Sequence, residues 1–94
     1  MRKPTLDLEA LRSFVMGIEL GSFAKAASHL SRSTSAVSAH LKKLEEQIGR
    51  PLVVRDGRHL KLTSVGERLM QSAKQLLATN DDAFIQLTRG QLSG

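Results

Sequence analysis

The sequence predicts a mainly α-helical domain built from three helices, a two-stranded hairpin and a long final helix. Apolar residues recur at helical spacing in four segments, and an Asp or Ser that can act as an N-cap precedes each of the first three. Asp56-Gly57 separates two short segments rich in Val and Leu, which is typical of a hairpin. With 94 residues and no Cys, the chain has room for one core and holds no disulfide framework.

The first two helices are predicted from their caps and their apolar spacing. Asp7 is a favourable N-cap for a helix that Gly21 ends, and Ser22 can cap a shorter one. The apolar residues of the first helix are Leu8, Leu11, Phe14, Val15 and Ile18. Those of the second are Phe23, Ala26, Ala27 and Leu30. The small Ala26-Ala27 pair allows another helix to approach closely.

The third helix is predicted to be capped by Ser33, to run to Ile48 and to end at Gly49. Its apolar residues form one narrow stripe: Val37, Leu41, Leu44 and Ile48. The opposite face then carries Ser35, Ala39, Lys42 and Glu46, with Ser38 alongside and Thr34 at the tip. Short polar side chains let a helix backbone approach DNA base edges, and free N–H groups at a helix start favour a phosphate. A capped, solvated helix start is the alternative interpretation of the same residues.

A basic hairpin and a long helix are predicted to follow. Leu52-Val53-Val54 and Leu60-Lys61-Leu62 are the predicted strands, joined through Asp56-Gly57. Ser64 and Glu67 fit a capping box for the last helix, with Thr63 as the competing cap, and the helix is predicted to reach about Thr88. The order of elements is that of a winged helix-turn-helix, with residues 1–63 forming this unit and residues 64–94 a linker helix.

The last helix is predicted to dimerise, because its apolar stripe is too long to pack only on this small domain. The residues expected at the dimer interface are Leu69, Ala73, Leu76, Asn80, Ala83 and Leu87.

Positive charge is concentrated in the middle third of the chain. Residues 32–61 hold seven Lys or Arg and three Asp or Glu, a net charge of +4, whereas the other residues together carry +1. A clustered positive field suits a polyanion, because each cation that neutralises a phosphate releases condensed counterions. Arg55 and Arg58 flank the tip of the hairpin, where they could reach a minor groove next to the third helix.

The chain resembles the DNA-binding domain of LysR-type transcriptional regulators over essentially its whole length. The strings that carry the resemblance are Leu11-Arg12-Ser13-Phe14, Gly21-Ser22-Phe23-Ala24-Lys25-Ala26-Ala27, Ala36-Val37-Ser38, Leu44-Glu45, Ile48-Gly49, Leu62-Thr63 and Gly66, with Leu30, Ser33, Leu52, Arg55 and Arg58 between them. The resemblance implies a winged helix-turn-helix, a linker helix that pairs antiparallel with its partner, and a C-terminal effector-binding domain that lies outside this chain.

By position, the resemblance implies roles for nine residues in DNA binding. The base-reading tip falls on Thr34, Ser35 and Ser38, followed by Ala39 and Lys42. Ser33 falls on the capping and phosphate-contacting position, Lys25 falls near a backbone-contacting one, and Arg32 in the preceding turn is a further candidate. Arg58 falls on the wing arginine expected in the minor groove, and Arg55 on its supporting partner.

Three departures from the family pattern bear on specificity. Thr34-Ser35 stands where the family usually has Gln-Pro, which removes an amide able to read adenine. Ala39 replaces a frequent Arg, and Leu52-Val53 replaces the usual Leu-Phe at the start of the wing. The sequence specificity is therefore expected to be unusual or to depend more on DNA shape. The strings Arg55-Asp56-Gly57-Arg58 and Asn80-Asp81 resemble the subgroup that controls motility, virulence and secreted enzymes.

The expected partners are double-stranded DNA with an interrupted palindrome and a second copy of the chain, with a tetramer left open for the full-length protein. A small-molecule effector would bind only in the C-terminal domain. No cofactor, metal or catalytic activity is expected, because His29, His40 and His59 lie on separate elements and the serines have no paired base. No apolar run approaches the roughly 20 residues that span a bilayer, so a cytoplasmic, nucleoid-associated protein is expected.

Two alternatives are a protein-interaction module that dimerises without binding DNA and a MarR-like winged-helix regulator. The first would not need the basic middle third. The second generally has more helix before the DNA-reading unit than the predicted segment from Leu8 to Leu20 provides.

Overall fold

A computed structural model describes residues 4–92, with side-chain placement up to residue 89. The elements are α1 (Leu8–Leu20), α2 (Phe23–His29), α3 (Thr34–Ile48), β1 (Val53–Asp56), β2 (His59–Leu62) and α4 (Ser64–Leu92). The predicted fold class is confirmed: three helices, a two-stranded antiparallel wing and a long C-terminal helix follow one another in the expected order.

The first three helices begin at the predicted caps. The side chains of Asp7, Ser22 and Ser33 accept hydrogen bonds from backbone N–H groups in the first turns of α1, α2 and α3. Gly21 and Gly49 end α1 and α3 in the left-handed conformation that glycine adopts without a steric penalty. Local side-chain chemistry therefore fixes where these helices start and stop.

The start of α4 is capped by Thr63, the competing cap, rather than by Ser64. The Thr63 hydroxyl accepts a hydrogen bond from Gly66 N at 3.0 Å and donates one to the carbonyl oxygen of Pro51 at 2.8 Å. Thr63 N also donates to the carbonyl oxygen of Leu52 at 3.0 Å. The cap therefore joins the end of the wing to the segment that leads into it.

Two apolar clusters hold the helices together, and α3 contributes to both. Leu44 packs with the buried faces of α1 and α4, around Leu11 and Phe14. Val37 packs with Ala26 and Ala27 of α2. The small Ala pair thus lies against another helix, as predicted, and the stripe of α3 faces inward.

The wing is a regular hairpin whose loop lies one residue later than expected. Val53 pairs with Leu62 and Asp56 pairs with His59, which leaves Gly57-Arg58 as the two-residue loop. Gly57 has a φ of 65°, at the position where a type II′ turn places glycine. The prediction of an Asp56-Gly57 turn was wrong, because the strand register puts Asp56 in the ladder and Arg58 in the loop.

The N-terminal half of α4 belongs to the core of this chain, and its C-terminal half extends beyond it. Leu69, Met70, Ala73 and Leu77 are buried against α1, whereas Phe84 and Leu87 are 69% and 75% exposed. The helix also runs to Leu92, past the expected end near Thr88. The assignment of Leu69 and Ala73 to a dimer interface was wrong, because their own chain already covers them.

An ion pair fixes the far part of α4 to α1. Arg12 Nη2 lies 2.8 Å from Asp81 Oδ1, and Arg12 Nη1 makes a longer contact with the other oxygen. The hydrogen bonds from Arg12, aided by one from Asn80, hold the pKa of Asp81 below its usual value. The pair thus joins α1 and α4 beyond the last buried apolar contact at Leu77.

Gly66 permits the close approach of α4 to the base of the wing. A Cβ at this position would overlap the carbonyl oxygen of Leu52, a backbone atom that cannot rotate away. We predict that Gly66→Ala destabilises the chain by about 1–3 kcal/mol, since an added methyl group in a filled space forces backbone shifts. Chemical denaturation measures the change, with Ser72→Ala on the exposed face of α4 as the control. Equal stabilities of Gly66→Ala and the parent would contradict the tight junction.

Candidate nucleic-acid interface

The outward face of α3 consists of residues that the structure leaves exposed: Thr34, Ser35, Ser38, Ala39 and Lys42. It lies opposite the stripe from Val37 to Ile48 because 100° per residue separates the two sets around the helix. No long side chain stands on this face before Lys42, so the first two turns present backbone and short hydroxyl groups. The face predicted from the sequence is therefore the accessible one.

The hydroxyl groups at the start of α3 are held in a short network. Ser33 Oγ accepts from Ala36 N at 3.1 Å and lies 3.1 Å from Ser35 Oγ. The cap therefore orients Ser35 as well as the first turn. Unpaired N–H groups and the positive end of the helix dipole point out of this end of α3, a favourable position for an anion.

A cleft brings the wing next to the start of α3. Its volume is about 350 Å³, and its walls come from three elements. The start of α2 contributes Gly21, Ser22, Phe23 and Ala24, the outward face of α3 contributes Thr34 and Ser38, and the wing contributes Arg55, Arg58 and Leu60. The two wing arginines thus share one concave surface with two of the predicted base-reading residues.

The base of the wing is hydrogen-bonded to α3. Glu45 Oε2 accepts a hydrogen bond from Leu52 N at 2.8 Å, where the chain enters the wing. Farther out, Lys61 Nζ and Asp56 Oδ2 form an ion pair at 2.8 Å across the two strands. The carboxylate of Asp56 in the wing is therefore paired with Lys61. The sequence pattern did not predict this role of Glu45, because its partner Leu52 lies outside its own helix.

The cations near the outward face differ in whether they are paired. Within the part of the chain that the structure describes, Lys42, Arg55 and Arg58 form no ion pair with a carboxylate. Lys25, also predicted to meet DNA, is exposed on α2. The wing side of α3 therefore presents unneutralised positive charge.

The opposite flank of α3 is lined by the start of α1, and there the cations are paired. Arg32 Nη2 lies 2.9 Å from Glu9 Oε2, and Lys43 Nζ lies 3.2 Å from Asp7 Oδ2. The hydrogen bond from Lys43 is the largest influence on the pKa of Asp7 and holds it below its usual value. Arg32, predicted to bind DNA, is therefore held by an acid of α1 when no DNA is bound.

The three histidines are not brought together. His29 and His59 are exposed, and His40 Nδ1 lies 2.7 Å from the hydroxyl oxygen of the buried Ser13. Among residues 4–92, no three His, Cys, Asp or Glu side chains are placed to hold a metal ion. His40 thus links α3 to α1, a contact between residues 27 apart in sequence that local patterns do not show.

The arrangement of α2, the tight turn, α3 and the wing defines a winged helix-turn-helix protein. Residues 8–67 match the sequence profile described as "Bacterial regulatory helix-turn-helix protein, lysR family". The chain belongs to this family. The resemblance found in the sequence is confirmed.

Curated relatives include DgdR of Burkholderia cepacia, an HTH-type transcriptional regulator that is 38% identical over 90 residues. PecT of Dickeya dadantii, also described as an HTH-type transcriptional regulator, is 39% identical over 89 residues. The matches cover 96% and 95% of this chain but only 31% and 28% of the relatives. The chain therefore spans about a third of the length of these proteins.

Solved structures with this fold include a complex of the BenM DNA-binding domain with catB site 1 DNA. It is 36% identical with a TM-score of 0.79, and the match covers 94% of this chain and 97% of that one. OxyR of Corynebacterium glutamicum, as a C206S mutant, is 31% identical with a TM-score of 0.86, and the match covers 93% of this chain and 27% of that one. The family profile and the solved structures therefore agree on the fold of this chain. Among the described residues, no helix has the length and apolar character of a membrane span.

Proposed function

We propose that this chain is the DNA-binding part of a bacterial LysR-type transcriptional regulator, with α3 in the major groove and Arg58 of the wing in the minor groove. The observation that carries the proposal is the cleft in which Arg55 and Arg58 face Thr34 and Ser38. A helix in the major groove and a basic loop in the adjacent minor groove need this side-by-side placement.

The outward face of α3 is suited to approach base edges closely. The hydroxyl groups of Thr34, Ser35 and Ser38 can donate to or accept from bases, and the methyl group of Ala39 can contact a thymine methyl. Lys42, two turns along, reaches a guanine edge or a phosphate. Because no long amide or guanidinium stands at the tip, direct readout is limited and DNA shape carries more of the preference.

Phosphate contacts would set the position of the domain on the duplex. Ser33 and the free N–H groups of the first turn of α3 can receive one phosphate. Lys25 on α2 and Arg32 just before α3 both precede this helix start in the chain and would contact the DNA backbone. Arg55 would support Arg58 by neutralising phosphates at the edge of the minor groove.

The same arrangement gives no support for catalysis. The hydroxyl groups of Ser33 and Ser35 bond to each other and that of Ser33 also accepts from Ala36 N, whereas a nucleophilic serine needs an adjacent base. We therefore propose a regulator rather than an enzyme, acting without a cofactor in the bacterial cytoplasm. Any small-molecule effector would act through the remaining two thirds of the relatives' length.

The exposed half of α4 is proposed as the dimer interface. Leu76, Asn80, Ala83 and Leu87 fall within about 60° of arc around the helix, and Phe84 borders them. Leu76, Phe84 and Leu87 are exposed, so a second copy would remove apolar surface from water. A two-fold dimer binds two half-sites related by the same symmetry, which gives an interrupted palindrome as the target. Higher assembly, such as a tetramer, would involve the rest of the full-length protein.

Arg58 tests the placement of the wing. We predict that Arg58→Ala weakens binding by about 1–3 kcal/mol on A·T-rich duplexes, because a narrow minor groove concentrates negative potential around an inserted arginine. On G·C-rich duplexes the loss should be smaller. Fluorescence anisotropy titrations measure both, with Lys61→Ala as the matched control, since Lys61 is a wing cation already paired with Asp56. Equal losses on the two duplexes, or no loss on either, would place Arg58 outside the minor groove.

A second experiment tests the dimer. The double variant Phe84→Ser/Leu87→Ser should weaken self-association at least about tenfold, because each copy loses two apolar side chains at the contact. Sedimentation equilibrium gives the dissociation constants. Ile85→Ser is the control, since Ile85 is exposed on the other side of α4 and should leave the dimer unchanged. A monomeric parent at high concentration, or equal effects of the two variants, would refute this interface.

A further inference from the structure

The flank of α3 away from the wing holds a charge arrangement that the proposed function does not require. Arg32 immediately precedes the N-cap Ser33, so it is the cation closest in sequence to the helix start that would meet DNA. Its Nη2 is 2.9 Å from Glu9 Oε2, while the side chains of Arg32 and Glu9 are 43% and 64% exposed. The pair therefore lies in solvent, where DNA could reach it.

The acid comes from another helix and is positioned by it. Glu9 lies in the first turn of α1, two residues after the N-cap Asp7, whose side chain accepts a hydrogen bond from Glu9 N at 2.9 Å. The neighbouring contacts of Lys43 with Asp7 and of Gln47 with the backbone of Thr5 keep the start of α1 along this flank of α3. Glu9 is thus held within reach of Arg32.

We infer that Glu9 competes with a DNA phosphate for the guanidinium of Arg32 and so holds down the affinity of the domain for any duplex. The inference rests on the proposed function, because it requires the start of α3 to meet DNA. A guanidinium binds a carboxylate or a phosphate with the same fork of N–H donors, so the two acids are alternative partners of Arg32. Phosphates are common to all sequences, so the effect is independent of sequence.

The size of the effect follows from the exposure of the pair. A solvent-exposed ion pair contributes little, and its loss on binding corresponds to an affinity change on the order of two- to fivefold. Binding would replace the contact with Glu9 by one with phosphate, leaving the carboxylate close to the DNA backbone. Repulsion between Glu9 and the phosphates acts in the same direction as the competition.

The test removes the charge of Glu9 while keeping its shape. Glu9→Gln is compared with the parent on a short random-sequence duplex by fluorescence anisotropy at several salt concentrations, after a thermal melt has shown that the variant folds. Glu19→Gln is the matched control: it removes the same charge from the same helix and breaks an ion pair with Lys74 at 3.5 Å. Both substitutions are also made in an Arg32→Ala background.

The expected result is that Glu9→Gln binds about two- to fivefold more tightly than Glu19→Gln, and that this difference shrinks in the Arg32→Ala background, where only the repulsion between Glu9 and the phosphates remains. Three outcomes overturn the inference: equal binding of Glu9→Gln and Glu19→Gln, weaker binding of Glu9→Gln, or a gain that persists undiminished without Arg32. Weaker binding would show that Glu9 positions Arg32 for its phosphate. If the parent does not bind the duplex at low salt, both the proposed function and this inference are overturned. If the parent binds and one of the three contrary outcomes is found, only this inference is overturned.

Discussion

The burial of one stripe of α3 is the constraint on which the rest of the structure depends. Val37 is held by α2 and Leu44 by α1 and α4, so the helix cannot rotate without exposing one cluster or the other. This fixes which residues of α3 face solvent, and it gives the short side chains at the tip a single orientation. Covering a fully buried Leu or Val contributes about 1.5–3 kcal/mol each, far more than any of the exposed ion pairs around them. Hydrophobic packing positions the interface, and charge acts on an interface that is already placed.

The two flanks of α3 are built differently, and the difference has a physical cause. On one side, Leu52 is bonded to Glu45 and lies against Gly66, so the base of the wing is fixed while its loop at Gly57-Arg58 stays exposed. Among the residues that the structure describes, Arg55 and Arg58 form no ion pair, and Asp56 between them pairs with Lys61 instead. On the other side, Asp7 and Glu9 at the start of α1 pair with Lys43 of α3 and with Arg32 just before it. A duplex that approaches α3 therefore meets free positive charge on the wing side and neutralised charge on the α1 side.

Local chemistry made most of the fold predictable from the sequence. The caps at Asp7, Ser22 and Ser33 and the outward face of α3 depend on residues within one or two turns, and these predictions were confirmed. The hairpin loop was misplaced by one residue, because strand pairing over the whole wing decides the register. Leu69 and Ala73 were predicted to lie at the dimer interface. Helical periodicity shows that an apolar stripe is buried, but it does not show whether the same chain or a partner buries it. The contact of Arg32 with Glu9 joins residues 23 apart, which only the tertiary fold brings together.

The outward face of α3 carries one cation, Lys42, so this lysine tests whether the face meets DNA. The most direct measurement is the affinity of Lys42→Ala for a duplex across a series of salt concentrations. Lys74→Ala is the control, because Lys74 lies on α4 and pairs with Glu19 of α1. We expect a loss confined to Lys42→Ala, with a salt slope smaller by about 0.9 if the ammonium group neutralises one phosphate, and an unchanged slope with reduced affinity if it reads a base. Binding by Lys42→Ala that equals the parent at every salt concentration would show that this face does not meet DNA.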